Sequence, residues 1–119
     1  MKIAITAQAQ AKLQKYLAAG KNLLLDLDDG FGHFSKEGTC ALLTKFRILA
    51  VDKTEDLRDY SVHLDSDIGT IYFKDSAKDF LDDGMSLRVD PKTQLLIFSN
   101  TKETIDKSVN IIDYDSVKA

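Results

Sequence analysis

At Gly20 the hydrophobic period of this chain changes, and that change decides its fold class. Before it, Ala9, Leu13, Tyr16 and Leu17 fall at i, i+4, i+7 and i+8, one stripe of a helix over residues 7–19. Gln8, Lys12, Gln14 and Lys15 take much of the remaining surface. Thr6 is the expected N-cap, since its hydroxyl can accept an orphan amide of the first turn. Gly20 is the expected residue just past the helix, where positive φ costs least. Residues 2–5 alternate polar and apolar as a short strand ahead of the helix.

After Gly20 a period of two dominates. Residues 22–28 read as a strand centred on Leu23-Leu24-Leu25. The longest loop-like stretch, residues 29–39, holds three of the six glycines. Residues 40–51 read as a long strand, with Leu42, Phe46, Ile48 and Ala50 on one face and Leu43, Lys45, Arg47, Leu49 and Val51 on the other. Apolar residues on both faces predict a covered strand. A polar turn over 52–59 leads to a strand over 60–64 with Tyr60, Val62 and Leu64 inward. Further strands are expected over 69–73, 85–89, 94–99 and 108–112, the third following a Pro91-Lys92-Thr93 turn. Ser76 is the expected cap of a short second helix over 77–82, ending at Gly84. The reading is one α+β, mostly β domain over residues 1–119: seven or eight closely spaced strands as a sandwich or barrel, with one helix packed on it.

Composition narrows the function classes. A chain of 119 residues supports a real core without staples. No apolar run is long enough to cross a membrane as a helix, and the opening residues carry no signal-peptide core, so the expected place is the cytoplasm. With 16 Lys+Arg against 19 Asp+Glu the formal charge is −3, and no basic stripe points to nucleic acid. One cysteine, Cys40, excludes an intrachain disulfide and a Cys-x-x-Cys site. Asp26, Asp28, Asp29 and Gly30 miss the EF-hand spacing by one residue and follow a strand, so they read as strand end plus turn. Asp65-Ser66-Asp67 and Asp82-Asp83-Gly84 read as turns too. No Gly-x-Ser-x-Gly elbow, phosphate loop or dinucleotide fingerprint is present, so no enzymatic activity is expected.

The order of these signals resembles a known family. Lys2-Ile3-Ala4-Ile5-Thr6, an Ala-rich helix, Leu23-Leu24-Leu25-Asp26, then Leu25-Asp26-Leu27-Asp28-Asp29-Gly30-Phe31-Gly32 before Ser35-Lys36-Glu37-Gly38-Thr39-Cys40, looks like the HesB-like domain of A-type iron–sulfur cluster carriers. Asp65-Ser66-Asp67-Ile68-Gly69, Tyr72-Phe73-Lys74-Asp75 and the short helix at Phe80-Leu81 continue it. The branch it looks closest to is a small-protein one from Gram-positive bacteria. The resemblance implies a pseudo-barrel of mixed sheets with an N-terminal helix against it, and a role in iron–sulfur cluster biosynthesis with a protein partner in that assembly. Members usually hold iron or a cluster with three cysteines, and Cys40 falls at the first position. The other two, a Cys-Gly-Cys, would fall at about residues 114–119, where this chain has Tyr114-Asp115-Ser116-Val117-Lys118-Ala119.

Clusters normally take four thiolates, so one chain supplies one and a symmetric homodimer two. A glutathione or a partner's thiols would complete the set. Cys40, at the start of the long strand, is the candidate cofactor and metal ligand, and His33, seven residues earlier in the glycine-bearing loop, a candidate second ligand. Read alone, Cys40 fits equally a small buried apolar residue, and His33 an exposed loop side chain. His63 shares the solvated face of its strand with Ser61 and Asp65 and is expected to have no role. The rival function is a non-catalytic interaction module that kept the fold and lost the cluster.

Overall fold

A computed structural model describes residues 1–28 and 45–114. They form β1 (Lys2–Ile5), α1 (Ala7–Ala18), β2 (Asn22–Leu27), β3 (Phe46–Val51), β4 (Val62–Ser66) and β5 (Gly69–Phe73), then a 3-10 helix (Asp75–Phe80), β6 (Met85–Val89), β7 (Leu96–Ser99) and β8 (Thr104–Asp113). The strands close in the order β1-β4-β5-β2-β3-β8-β7-β6, with β6 pairing back onto β1. The pairs β1–β4, β1–β6, β2–β5 and β3–β8 are parallel, and the rest antiparallel. The expected mixed, mostly β pseudo-barrel is thus a closed barrel rather than a sandwich, and closure leaves no long sheet edge unpaired.

The helix forms where its stripe predicts it. The Thr6 hydroxyl accepts the Ala9 N–H at 3.4 Å, and Gly20 takes φ +78° just past the last turn. Ala9 and Leu13 are fully buried and join the cluster that fills the barrel, while Tyr16 and Leu17 pack against it. At the centre lies Phe46, with ring centroids 5.0 Å from Phe98, 5.4 Å from Phe80 and 6.0 Å from Phe73.

β2 and β3 are buried on both faces, as the double apolar pattern of β3 predicts. Leu23, Leu25, Phe46, Ile48 and Ala50 belong to the barrel cluster. Leu24, Leu49 and Val51 belong to a second cluster with Tyr60, against which Leu57, Tyr72, Ile112 and Tyr114 pack.

The structure corrects four expectations. Tyr60 precedes β4 and packs in the second cluster, not with Leu64 in the barrel. The second helix is a 3-10 helix that starts at Asp75, so Ser76 lies inside it and does not cap it. β7 begins at Leu96 because Gln94 has left-handed backbone, φ +63°, which ends any extended run there. β8 is ten residues long, Thr104–Asp113, since the inward carboxylate of Asp106 hides its strand pattern. Of the long strand expected over 40–51, residues 40–44 lie outside the described residues.

Phe46→Ala removes the ring at the centre of the aromatic cluster. A loss of about 3–5 kcal/mol is expected, the scale of buried Phe→Ala changes. It would be read as a lower urea midpoint at unchanged slope. A loss under about 1 kcal/mol would mean that the cluster collapses around the gap without cost.

Candidate functional site

Residues 29–44 connect β2 to β3, and the structure describes the two residues that flank them, Asp28 and Lys45. The Asp28 N–H donates to the Lys45 carbonyl at 2.8 Å. This extends the antiparallel ladder that pairs Asp26 with Arg47 and Leu27 with Phe46. The two ends of the segment are therefore held together by the sheet itself. Cys40, His33 and Asp29 lie on this segment, outside the described residues.

One side of the base is a buried ionic cluster. Asp26 follows Leu24 on the outer face of β2 and is wholly buried. A lone carboxylate there would be expensive, so it must collect donors. The Tyr60 hydroxyl donates to its Oδ1 at 2.5 Å, and the Arg47 Nε to its Oδ2 at 2.6 Å. The Lys74 ammonium lies 3.3 Å from Oδ1 and also donates to the Leu27 carbonyl at 2.9 Å. Lys74 is 2% exposed. Its long side chain thus ties the end of β5 to two consecutive residues of β2. Burial, then the Asp26 charge and its hydrogen bond, push the Tyr60 phenol far above the usual tyrosine range, against the opposing pull of Arg47.

A second carboxylate holds the other side. The Phe46 N–H donates to Asp106 Oδ2 at 2.7 Å, with the Lys45 ammonium 3.4 Å from the same oxygen. Lys45 also donates to the Ser108 carbonyl. The first two residues of the returning chain are thus pinned to β8.

The remaining sequence candidates fall elsewhere. His63 is exposed and sits edge-on to Tyr72, its neighbour on β5, at 4.9 Å. Asp67 accepts the Ile5 N–H at 2.9 Å in the β4–β5 turn. Asp82 accepts from Gly84 and twice from Thr101, and the Thr101 hydroxyl holds its carboxyl below the usual carboxylate range. A Cβ at Gly84 would run into the Thr101 side chain, so that close approach needs glycine. These acids serve turns. Among the described residues no three His, Cys, Asp or Glu side chains gather as a metal set. The described residues alone therefore do not fit a complete iron or cluster site, and among them no helix is long and apolar enough to cross a membrane.

Reading the sequence missed the Asp26 cluster, although its signal was present. Asp26 and Arg47 are opposite charges set into apolar faces of two adjacent strands. Such charges must pair or face water.

The comparisons with known proteins agree on one family. The family model described as iron–sulphur cluster biosynthesis matches residues 1–113. The chain is similar to a Lactobacillus salivarius protein of known crystal structure, provisionally assigned to Fe-S biosynthesis and described as a novel fold. The two are 38% identical with a TM-score of 0.85, over 96% of this chain and 98% of that one. It is also similar to a Lactobacillus acidophilus protein with the same provisional assignment, 26% identical with a TM-score of 0.74, over 98% of this chain and 93% of that one. No curated protein matches.

Two substitutions test the cluster. Asp26→Asn leaves Lys74 and Arg47 without their buried counter-charge, and a loss of about 3–5 kcal/mol is expected in urea denaturation. Tyr60 has a folded-state pKa above its unfolded value. Its contribution is therefore complete below pH about 10 and lost as pH rises above that. Wild type and Tyr60→Phe should show no difference in tyrosinate absorbance until the fold melts in alkali. A Tyr60 phenolate signal in the folded protein would show that the phenol reaches water.

Proposed function

We propose, from the premise that this chain belongs to the iron–sulphur cluster biosynthesis family, that it carries iron or an iron–sulphur cluster as cargo on a single thiolate, Cys40. The observation that carries this reading is where the chain keeps its one cysteine. Cys40 lies on the segment whose base is joined by the Asp28–Lys45 hydrogen bond and flanked by the Asp26 and Asp106 anchors. A base held on both sides limits where a short segment can present its donors. Soft, anionic sulfur suits iron–sulfur centres, and His33 on the same segment is the second donor.

The donor count then defines how the chain works. Clusters are held by four ligands, mostly thiolates. A chain with one thiolate cannot keep a cluster alone, so it shares one, either across a homodimer or with thiols of a partner in the assembly machinery. A shared site also eases transfer, because each ligand can exchange without leaving the metal bare. In this reading the protein is a carrier and no bond-making catalyst.

Anaerobic reconstitution with ferrous iron and sulfide, with glutathione present to supply the partner's thiols, tests it. The expected result is bound iron and sulfide with a sulfide-to-iron absorption band, both reduced to background in Cys40→Ser and only weakened in His33→Ala. Unchanged iron in Cys40→Ser overturns the proposal. A colourless, iron-free wild type does so too, and favours an interaction module that kept the fold without the cargo.

A further inference from the structure

A groove lies between α1 and the β6–β7 hairpin, open to solvent, and it has no place in the reading above. It consists of two adjoining depressions of ≈ 640 and ≈ 410 Å³. Ala11, Lys12 and Gln94 line both. Val89, Pro91, Leu95 and Ile111 supply apolar surface. Lys12, Lys15 and Arg88 supply charge, and no carboxylate among the described residues lines either depression. That is a biased sample of a chain with 19 acidic residues against 16 basic ones. Among the described residues none of these three cations has an acid within ion-pair distance. The nearby Asp90 turns its carboxylate to the Lys92 N–H, 2.8 Å away.

Gln94 marks the junction of the two depressions. Its φ of +63° is one that glycine or asparagine takes more cheaply. Its N–H closes the turn onto the Asp90 carbonyl at 2.8 Å, and its exposed side chain donates through Nε2 to the Pro91 carbonyl at 3.2 Å. That bond serves the turn, and it leaves the amide oxygen and a second N–H at the mid-point of the groove.

We propose that this groove binds an extended acidic peptide segment of a partner protein. Its carboxylates would face Lys12, Lys15 and Arg88, and its apolar side chains would lie on the floor between them. The dimensions suit such a segment. The groove follows α1 from Thr6 to Tyr16, roughly 15 Å at the helical rise, which about five extended residues cover. The site also adjoins the base of the 29–44 segment. β8 lines the groove at Val109, Asn110 and Ile111 and holds Lys45 at Ser108, roughly 7 Å along the strand from Asn110. The proposal does not rest on cargo binding by Cys40.

Fluorescence anisotropy on the purified full chain tests it, with a labelled peptide of alternating Glu and Leu as probe. The Lys-Leu counterpart and a single-stranded oligothymidylate are the controls. Saturable, salt-sensitive binding of the acidic peptide is expected, with the Lys-Leu peptide inert. Lys12→Glu with Arg88→Glu should weaken binding tenfold or more, while Lys12→Arg with Arg88→Lys keeps it. Gln94→Gly should bind more weakly. Cys40→Ser should bind the peptide as wild type does, so loss of iron and loss of peptide are separable. Equal affinity in the charge-reversed variant overturns the proposal. So does tighter binding of the oligothymidylate, which would make the groove a nucleic-acid site.

Discussion

Everything near the base of the 29–44 segment depends on the buried carboxylate of Asp26. Three donors reach it from three separate parts of the chain: Arg47 on β3, Tyr60 ahead of β4, and Lys74 after β5. They converge only when β2, β3 and β5 pair in one register. A slip of one residue would turn Asp26 and Arg47 toward the barrel interior, among Leu25 and Ile48, where neither charge could be met. A buried ion pair often adds little net stability over an apolar substitute. Its value here is that it makes every alternative pairing of these strands costly.

The same constraint divides the molecule into layers. Residues of β2 and β3 that point inward meet the Phe46 cluster, and those that point outward meet Tyr60 and its neighbours. Tyr60 belongs to both systems, with its ring among Leu24, Leu49 and Val51 and its hydroxyl on Asp26. It therefore couples the apolar packing of the outer layer to the charge network. The residues that flank the 29–44 segment are held by Phe46 packed inside, by Asp26 on one side and by Asp106 on the other.

What could be read from the sequence follows from how local each signal is. The helix, its Thr6 cap and Gly20 depend on neighbours within a few residues, and all three stand where their pattern places them. Strands with clean alternation, such as β5 and β6, were equally legible. Tyr60 was not, because its alternation with Val62 and Leu64 is broken by the bend before β4 and its partner is 34 residues away in Asp26. Nor was the full length of β8, where Asp106 turns inward to meet the Phe46 N–H across 60 residues. Polar residues that are buried to satisfy distant groups imitate solvent-facing ones in a sequence. Cys40 is a candidate by type and by the resemblance and His33 by type, and both lie outside the described residues.

The described barrel is held by groups other than sulfur. The groups that hold the described barrel are aromatic rings, carboxylates, a phenol, a guanidinium and an ammonium. None of these groups, all among the described residues, is a thiol. Ligand residues can then be lost without loss of the fold, and what remains is decided by the chemistry left on the segment and by the partner that completes it. On the proposed reading, a single thiolate would leave three positions of a cluster unfilled, so it would suit a protein that meets its cargo together with a partner. A chain that works in that way needs a surface to be recognised by.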